Sequence, residues 1–495
     1  MDILLAVSAD AGINVTELGG RESPIVFRRQ PVIAMLGRTL SGPLNEPVLV
    51  ESAQEFTRSF GGPWAESWLP DAALQFFAAG GHRLVVIRVA NGAKAARLVL
   101  PPAVGGLTVV SRFPGNNESL RADVDIATPD GCMHMTLQRV VAGRVVDQEF
   151  FQNVSLRHGD ERNVRTALSE SRLVRVAPPS VATTNDDLLP RVTGQLVVVS
   201  QAGSDGSALS DYDLIGCPDD GSGLFALDAL DQIDFVYVPP EPHLAPRGPV
   251  FETVARRYCD SRSALLVMDP AGDAVDPDVE RSGQAPPVLR YWPPVVDRRD
   301  RTRRVPVGGA VLGALADYQR NSYGDFGFSA DRTRIGRRFL PAPEVGQRSL
   351  GALTEVGLFV LAPRRDQTLG VHSASMYVPE FGCRCSLHTL RLVLLIERAL
   401  KESTRWVVAH AADREAWLAL ASQVSRFLGR LARAGLIVEP YRVRCDANTN
   451  AAQLQGQPGT HFLVSVTPRE FARPLTLAVT QAPAGAHITR AAFSE

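Results

Sequence analysis

Lysine is nearly missing from this chain of 495 residues: Lys94 and Lys401 stand alone among 52 basic residues. Positive charge is therefore carried by arginine, whose rigid guanidinium suits interfacial ion pairs with carboxylates; a GC-rich coding genome would leave the same bias. No Gly-Lys dipeptide occurs, which excludes a Walker-type phosphate loop. No window approaches the ~18 to 20 apolar residues of a membrane span, because Arg, Asp or Pro interrupts every long run, so direct membrane insertion is not expected. Charge of one sign is not in excess. The net charge of -1 gives no general attraction to nucleic acid, which is not an expected partner. Six cysteines, at 132, 217, 259, 383, 385 and 445, make no repeated pair, as expected of free thiols in a reducing compartment. The first ten residues lack a basic n-region and carry an early acid, Asp2, so a protein made and kept in a cytoplasm is expected.

With 45% hydrophobic and 21% charged residues, the chain has the composition of a folded globular protein, and its length favours about two to four domains. Helices are predicted near Ser52–Gly62 and Pro70–Ala79. Gly80-Gly81 ends the second, and a Val/Ile strand, Leu84–Val89, follows. From about 91 to 199, short runs of period two between Pro, Gly and Asn read as a β-rich module. From 200 onward the order is strand (Ile233–Val238), helix (Pro249–Tyr258), strand (Ala264–Met268), an α/β crossover. Pro286–Arg304 reads as a surface loop or extended linker. Two amphipathic helices are predicted between Ser386 and Glu439, with a buried strand, Arg405–Val408, between them. In the first, Leu387, Leu390 and Leu394 form an apolar stripe, with Arg391, Arg398 and Lys401 on the other side.

Residues for chemistry do not converge. His372 lies beside Ser373 and Ser375, but neighbours on a strand face opposite ways, and no Gly-x-Ser-x-Gly elbow is present. Cys383-Arg384-Cys385 with His388 could offer zinc three ligands, without a fourth. Gly308–Gly313 lacks dinucleotide spacing and suits a helix start packed against a strand. Asp269-Pro270 fits a turn. No catalytic, cofactor or metal site is expected.

What is present is an ordered series of motifs. Ile13–Leu18 precedes Pro31–Arg38, Gly42-Pro43-Leu44-Asn45-Glu46-Pro47, and a helix ending Phe60-Gly61-Gly62. Later come Thr404-Arg405-Trp406-Val407-Val408, Arg444-Cys445-Asp446 with Asn448-Thr449-Asn450, and Leu475–Thr480. In that order, over about residues 13 to 480, the chain resembles the contractile tail sheath proteins. The resemblance implies an α/β fold, α+β overall, with a core domain from N- and C-terminal parts, terminal strand-exchange arms and an inserted β-rich outer domain. The implied parts are an arm at 1–30, core at 31–90, outer domain at 91–199, middle α/β domain at 200–375, C-terminal core at 376–480, and a tail at 481–495 without an assigned role.

It also implies a structural subunit, not an enzyme, that polymerises in stacked rings around an inner tube protein, meets baseplate and terminator or cap proteins, needs no cofactor, and assembles in the cytoplasm of a producing bacterium. A ring or cap paralogue, or an α/β hydrolase, are the alternatives. Segments 13–18 and 475–480 are expected to be strands donated to neighbouring subunits, through Ile13, Val15, Leu18, Leu475, Leu477 and Val479. Arg391, Arg398 and Lys401 are the expected tube contacts.

Overall fold

A computed structural model describes residues 24–25, 30–101, 107–116, 119–126, 132–141, 143–155, 159–177, 194–242, 248–270, 288–321, 333–342, 359–378, 381, 383–410, 413–451, 458–471 and 473–491. The chain divides into two compact units: Met1–Arg29 with Glu380–Glu495, and Gln30–Pro379.

In the larger unit, strand β1 (Ile33–Gly37) is buried at every residue, as a parallel strand covered on both faces must be. After β2 (Pro47–Val50), Ser52 caps the helix Ala53–Phe60 by accepting the Glu55 N–H. Phe56 and Phe60 stack on that helix's buried side, ring centroids 5.5 Å apart. The helix Leu69–Ala78, with Pro70 in its first turn, leads into β3 (Leu84–Arg88).

Seven strands follow: β4 (Ala95–Val99), β5 (Thr108–Pro114), β6 (Ser119–Ile126), β7 (Cys132–Val141), β8 (Arg144–Ser155), β9 (Val174–Val176) and β10 (Gly194–Val199). They form two antiparallel sheets, ordered β10-β6-β7-β8 and β4-β5-β9. Alternation turns Leu120, Ala122 and Val124 of β6 inward, onto a core shared with Val109, Leu137 and Leu168.

The chain then supplies β11 (Phe235–Tyr237), the helix Pro249–Ser261, β12 (Leu265–Met268), β13 (Val288–Trp292), β14 (Val295–Asp297), the helix Gly308–Asn321, β15 (Arg334–Gly336), β16 (Phe339–Pro341), β17 (Phe359–Pro363) and β18 (Leu369–Val378). The main sheet runs β15-β18-β17-β13-β12-β11-β1-β3-β2. Its middle is parallel; β2, β15 and β18 are antiparallel to their neighbours.

Two expectations are corrected here. Residues 31–90 join the middle α/β domain instead of a core shared with the C-terminal part, because β1 takes parallel partners on both sides, β3 and β11. Within Pro286–Arg304, the stretch Val288–Trp292 is an inner strand of the main sheet, its apolar Val288, Leu289 and Tyr291 buried between prolines that read as loop. The glycines at 309 and 313 allow helix-on-helix contact: a Cβ there would come within 2.1 Å of the Ala72 carbonyl oxygen and 2.2 Å of that of Phe76. A Cβ on Gly308 would meet the Tyr237 ring.

The smaller unit holds β19 (Cys383–Ser386), the helices Leu387–Ser403 and Arg414–Arg433, and β20 (Ile437–Arg444), β21 (Thr460–Pro468), β22 (Leu475–Ala482) and β23 (Gly485–Ala491) in sheet order β20-β21-β22-β23. Between the helices, Arg405–His410 is a 3-10 helix, not the expected strand. That turn lets the Trp406 indole donate to Gln423 Oε1 at 3.1 Å, so the ring is buried with its N–H satisfied.

Candidate functional site

The smaller unit is organised on the helix Leu387–Ser403. Ser386 caps it, accepting the Thr389 N–H, and is itself fixed by Glu470, which accepts the Ser386 hydroxyl at 2.6 Å and its N–H at 3.1 Å. Strands β21, β22 and β23 and the 3-10 helix pack on it, and every residue from Thr389 to Leu400 is buried. This corrects the expected exposed polar side: Arg391 is 2% and Arg398 7% exposed, and only Lys401 of the three stays half-buried. Periodicity locates polar residues on a helix but cannot say that a sheet covers them.

Segment 475–480 lies in β22. Its inward residues are Leu475, Leu477 and Val479, fully buried. Both ladders of β22 are filled by this chain: β21 along Val466↔Leu475 to Thr460↔Gln481, and β23 along Thr476↔Ala491 to Ala482↔Gly485. The donated-strand reading of 475–480 is therefore corrected for this structure. The physical reason is the segment beyond 480, to which the sequence assigned no role: it turns at Gly485 and returns as a strand.

A buried ion pair holds that last strand to the central helix. Arg490 donates from Nε to Glu397 Oε1 at 2.6 Å and from Nη2 to Oε2 at 2.9 Å, with both side chains under a tenth exposed. Such a bidentate pair fixes both position and orientation. Gln481 adds a second tie, donating to the Lys401 carbonyl and to Thr404 Oγ1. Among the described residues the edge strands of this sheet are β20 and β23. Ile13, Val15 and Leu18 lie outside the described residues. Pro24 and Ile25 are described: Ile25 is buried, its carbonyl accepts from Arg430, and it lines a groove of about 640 Å³ with Gln423, Arg426, Gly429 and Tyr441.

The larger unit has a cleft of about 670 Å³ at the carboxyl ends of β11, β12 and β13, the place where α/β enzymes keep their chemistry. Asp269 sits there and accepts hydrogen bonds from Tyr237 Oη, at 2.8 Å, and from Tyr291 Oη. Burial pushes its carboxyl up to about 6, while the bonds from Tyr291 and Tyr237 pull it back. The Tyr291 oxygen also accepts the Val307 N–H at 2.8 Å. Asp269 thus does more than open a turn. Sequence reasoning missed it because its two tyrosine partners lie 32 and 22 residues away.

A buried acid alone is not a catalytic site. No Ser, Cys, His or Lys lines the cleft among the described residues; the groups beside Asp269 there include Glu241, Glu252, Tyr291 and Thr302. On β18, His372 is exposed and Ser373 buried, on opposite faces. Cys385 is buried and in no disulfide, and no group of three His, Cys, Asp or Glu among the described residues could hold a metal. No described helix is long and apolar enough to cross a membrane.

No protein-family model matches the chain, and no curated protein matches it significantly. Solved structures do. The sheath tail protein of Listeria innocua is similar over 92% of this chain and 95% of its own, with a TM-score of 0.62 at 13% identity. The sheath tail protein of Desulfitobacterium hafniense covers 97% of this chain and 100% of its own, with a TM-score of 0.54 at 13% identity. The helical sheath of the anti-feeding prophage in its contracted state covers 93% and 96%, with a TM-score of 0.51 at 13% identity. The fold is that of the tail sheath proteins.

Proposed function

We propose that this protein is a sheath subunit of a contractile injection machine, built into stacked rings around an inner tube and able to pass from an extended to a shorter, wider lattice that drives the tube through a target envelope. The observation that carries this reading is the shared fold over nearly the whole of both chains with the Listeria innocua sheath tail protein. Two features of the chain support it. No Ser, His or Cys stands beside the cleft's buried Asp269 among the described residues, and of the described terminal segments Gly485–Ala491 is a strand and Ile25 lines a groove. In this reading work comes from differences in interface free energy between two lattices, a small gain per subunit multiplied along the tube.

The segment 13–18 is proposed as a strand that adds to an open edge, β20 or β23, of a neighbour's sheet. Backbone hydrogen bonds would supply affinity and alternating side chains the register. Of the earlier tube-contact residues, Lys401 keeps the accessibility such a contact needs. Baseplate and terminator proteins would meet the ends of the polymer. High-speed pelleting of the purified protein followed by negative-stain electron microscopy tests the reading. Long hollow tubes are expected; closed single rings would instead indicate a cap or ring paralogue, and a soluble monomer with hydrolytic activity would refute it.

A further inference from the structure

The near-neutral net charge conceals a separation of charge within the larger unit. At the β15 end of the main sheet, three segments distant in sequence come together. The Arg298 N–H donates to the Arg338 carbonyl at 2.8 Å, and its guanidinium reaches the carbonyls of Arg337 and Gln367. Arg364 donates to the Thr333 carbonyl, and Arg334 pairs with Asp366 at 3.4 Å. Among the described residues the surface so formed carries eight arginines, at 298, 299, 301, 334, 337, 338, 364 and 365, with Arg303 and Arg304 beyond it on the cleft. Against them, among the described residues, stand Asp297, Asp300 and Asp366, with Asp71 in electrostatic reach of Arg303 and Arg338. Seven of the eight are exposed, and Arg303, on the cleft side, lies over the Trp68 ring at 4.6 Å.

The other end of the sheet is the reverse. From residue 192 to 246 the chain has no lysine or arginine, and between 211 and 231 it has six aspartates. This segment is anchored by Gly223, whose N–H donates to Asn45 at 3.1 Å just before β2, and by Leu224 and Leu227 in a core with Leu36 and Ile87 of β1 and β3. Asp211 and Asp213 are occupied in capping helix starts, and Arg262 offsets Asp228. Asp219, Asp220 and Asp231 are exposed. Strand order separates the part of this acidic surface anchored beside β2, with Asp219 and Asp220, from the arginine surface by on the order of 30 Å at about 4.8 Å per strand, while Asp231 lies nearer, just before β11.

We infer that the two surfaces are the halves of one contact, the arginine surface of one copy seating on the acidic segment of the next. Opposite charge at opposite ends of one rigid sheet defines a heterologous, head-to-tail interface, which repeats without closing unless its rotation closes it. Within one copy the surfaces are too far apart to satisfy each other through salt water, where the screening length is roughly 8 Å. A second copy supplies the missing counter-surface at equal concentration. The contact rests on the sheath reading for its place in a lattice, but it stands as a pairwise association without it.

The test is a charge swap. One variant carries Arg299, Arg301, Arg337 and Arg365→Glu; a second carries Asp219, Asp220 and Asp231→Arg; a third combines both sets. Self-association is followed by sedimentation velocity, and polymer by pelleting, from low to high salt, with circular dichroism to confirm folding. Each one-sided variant should associate about tenfold less at low salt, like charges now facing each other, and mixing the two one-sided variants or combining the sets should restore association.

Wild-type tubes with both one-sided variants assembling normally would overturn the contact and leave the sheath reading intact. Salt-sensitive pairing rescued by the swap, but with no tubes, would support the contact and refute the sheath. Loss of binding to a DNA duplex in the arginine variant, with self-association unchanged, would show the patch to be a nucleic-acid surface and overturn the inference.

Discussion

Glu397 and Arg490 stand 93 residues apart in sequence and meet in a nearly dry site. Removing one partner leaves the other charged and buried, so Arg490→Ala is expected to destabilise the C-terminal unit by roughly 3 to 5 kcal/mol, measured by denaturant unfolding. The double variant Glu397→Leu with Arg490→Leu should recover much of that loss. Asp269 makes a different prediction. Its folded-state carboxyl titrates at about 6, above the usual carboxylate value, so the folded state holds a proton that the unfolded chain has released. Its contribution therefore turns favourable as pH falls from about 7 towards 4, and the stabilisation is lost as pH rises through about 6. Replacement of Asp269 by Asn should flatten that part of the stability profile of the larger unit.

At the scale of elements, β22 and β23 decide what the C-terminus presents. With residues 483–495 deleted, β22 loses its β23 ladder and becomes an open edge, while Glu397 loses its partner. Open edges pair with whatever strand is at hand. The truncated protein is expected to form irregular aggregates or strand-linked oligomers by light scattering, where the full chain stays dispersed at low concentration. The same elements show what was legible beforehand. The helix beginning at Ser386, the Gly61 stop and the Leu84–Arg88 strand follow from local chemistry and were readable. The burial of Arg391 and Arg398, the inner position of β13 and the Asp269–tyrosine cluster depend on residues brought from far along the chain. Local periodicity carries no trace of them. The arginine-rich and aspartate-rich stretches stand in the sequence, but only the sheet order shows how far apart they lie.

For the whole molecule, the fold of the tail sheath proteins is the ground on which work between copies is proposed. A polymer held partly by facing charges should shorten in average length, by dynamic light scattering, as salt rises from about 0.05 to 0.5 M. The central claim is most directly tested by helical reconstruction of the purified polymer by electron cryomicroscopy. The account predicts an open-ended hollow tube in which each C-terminal sheet gains, beside β20 or β23, a strand from residues 13–18 of another copy. A closed ring, or a tube whose C-terminal sheets contain strands of their own chain only, would contradict it.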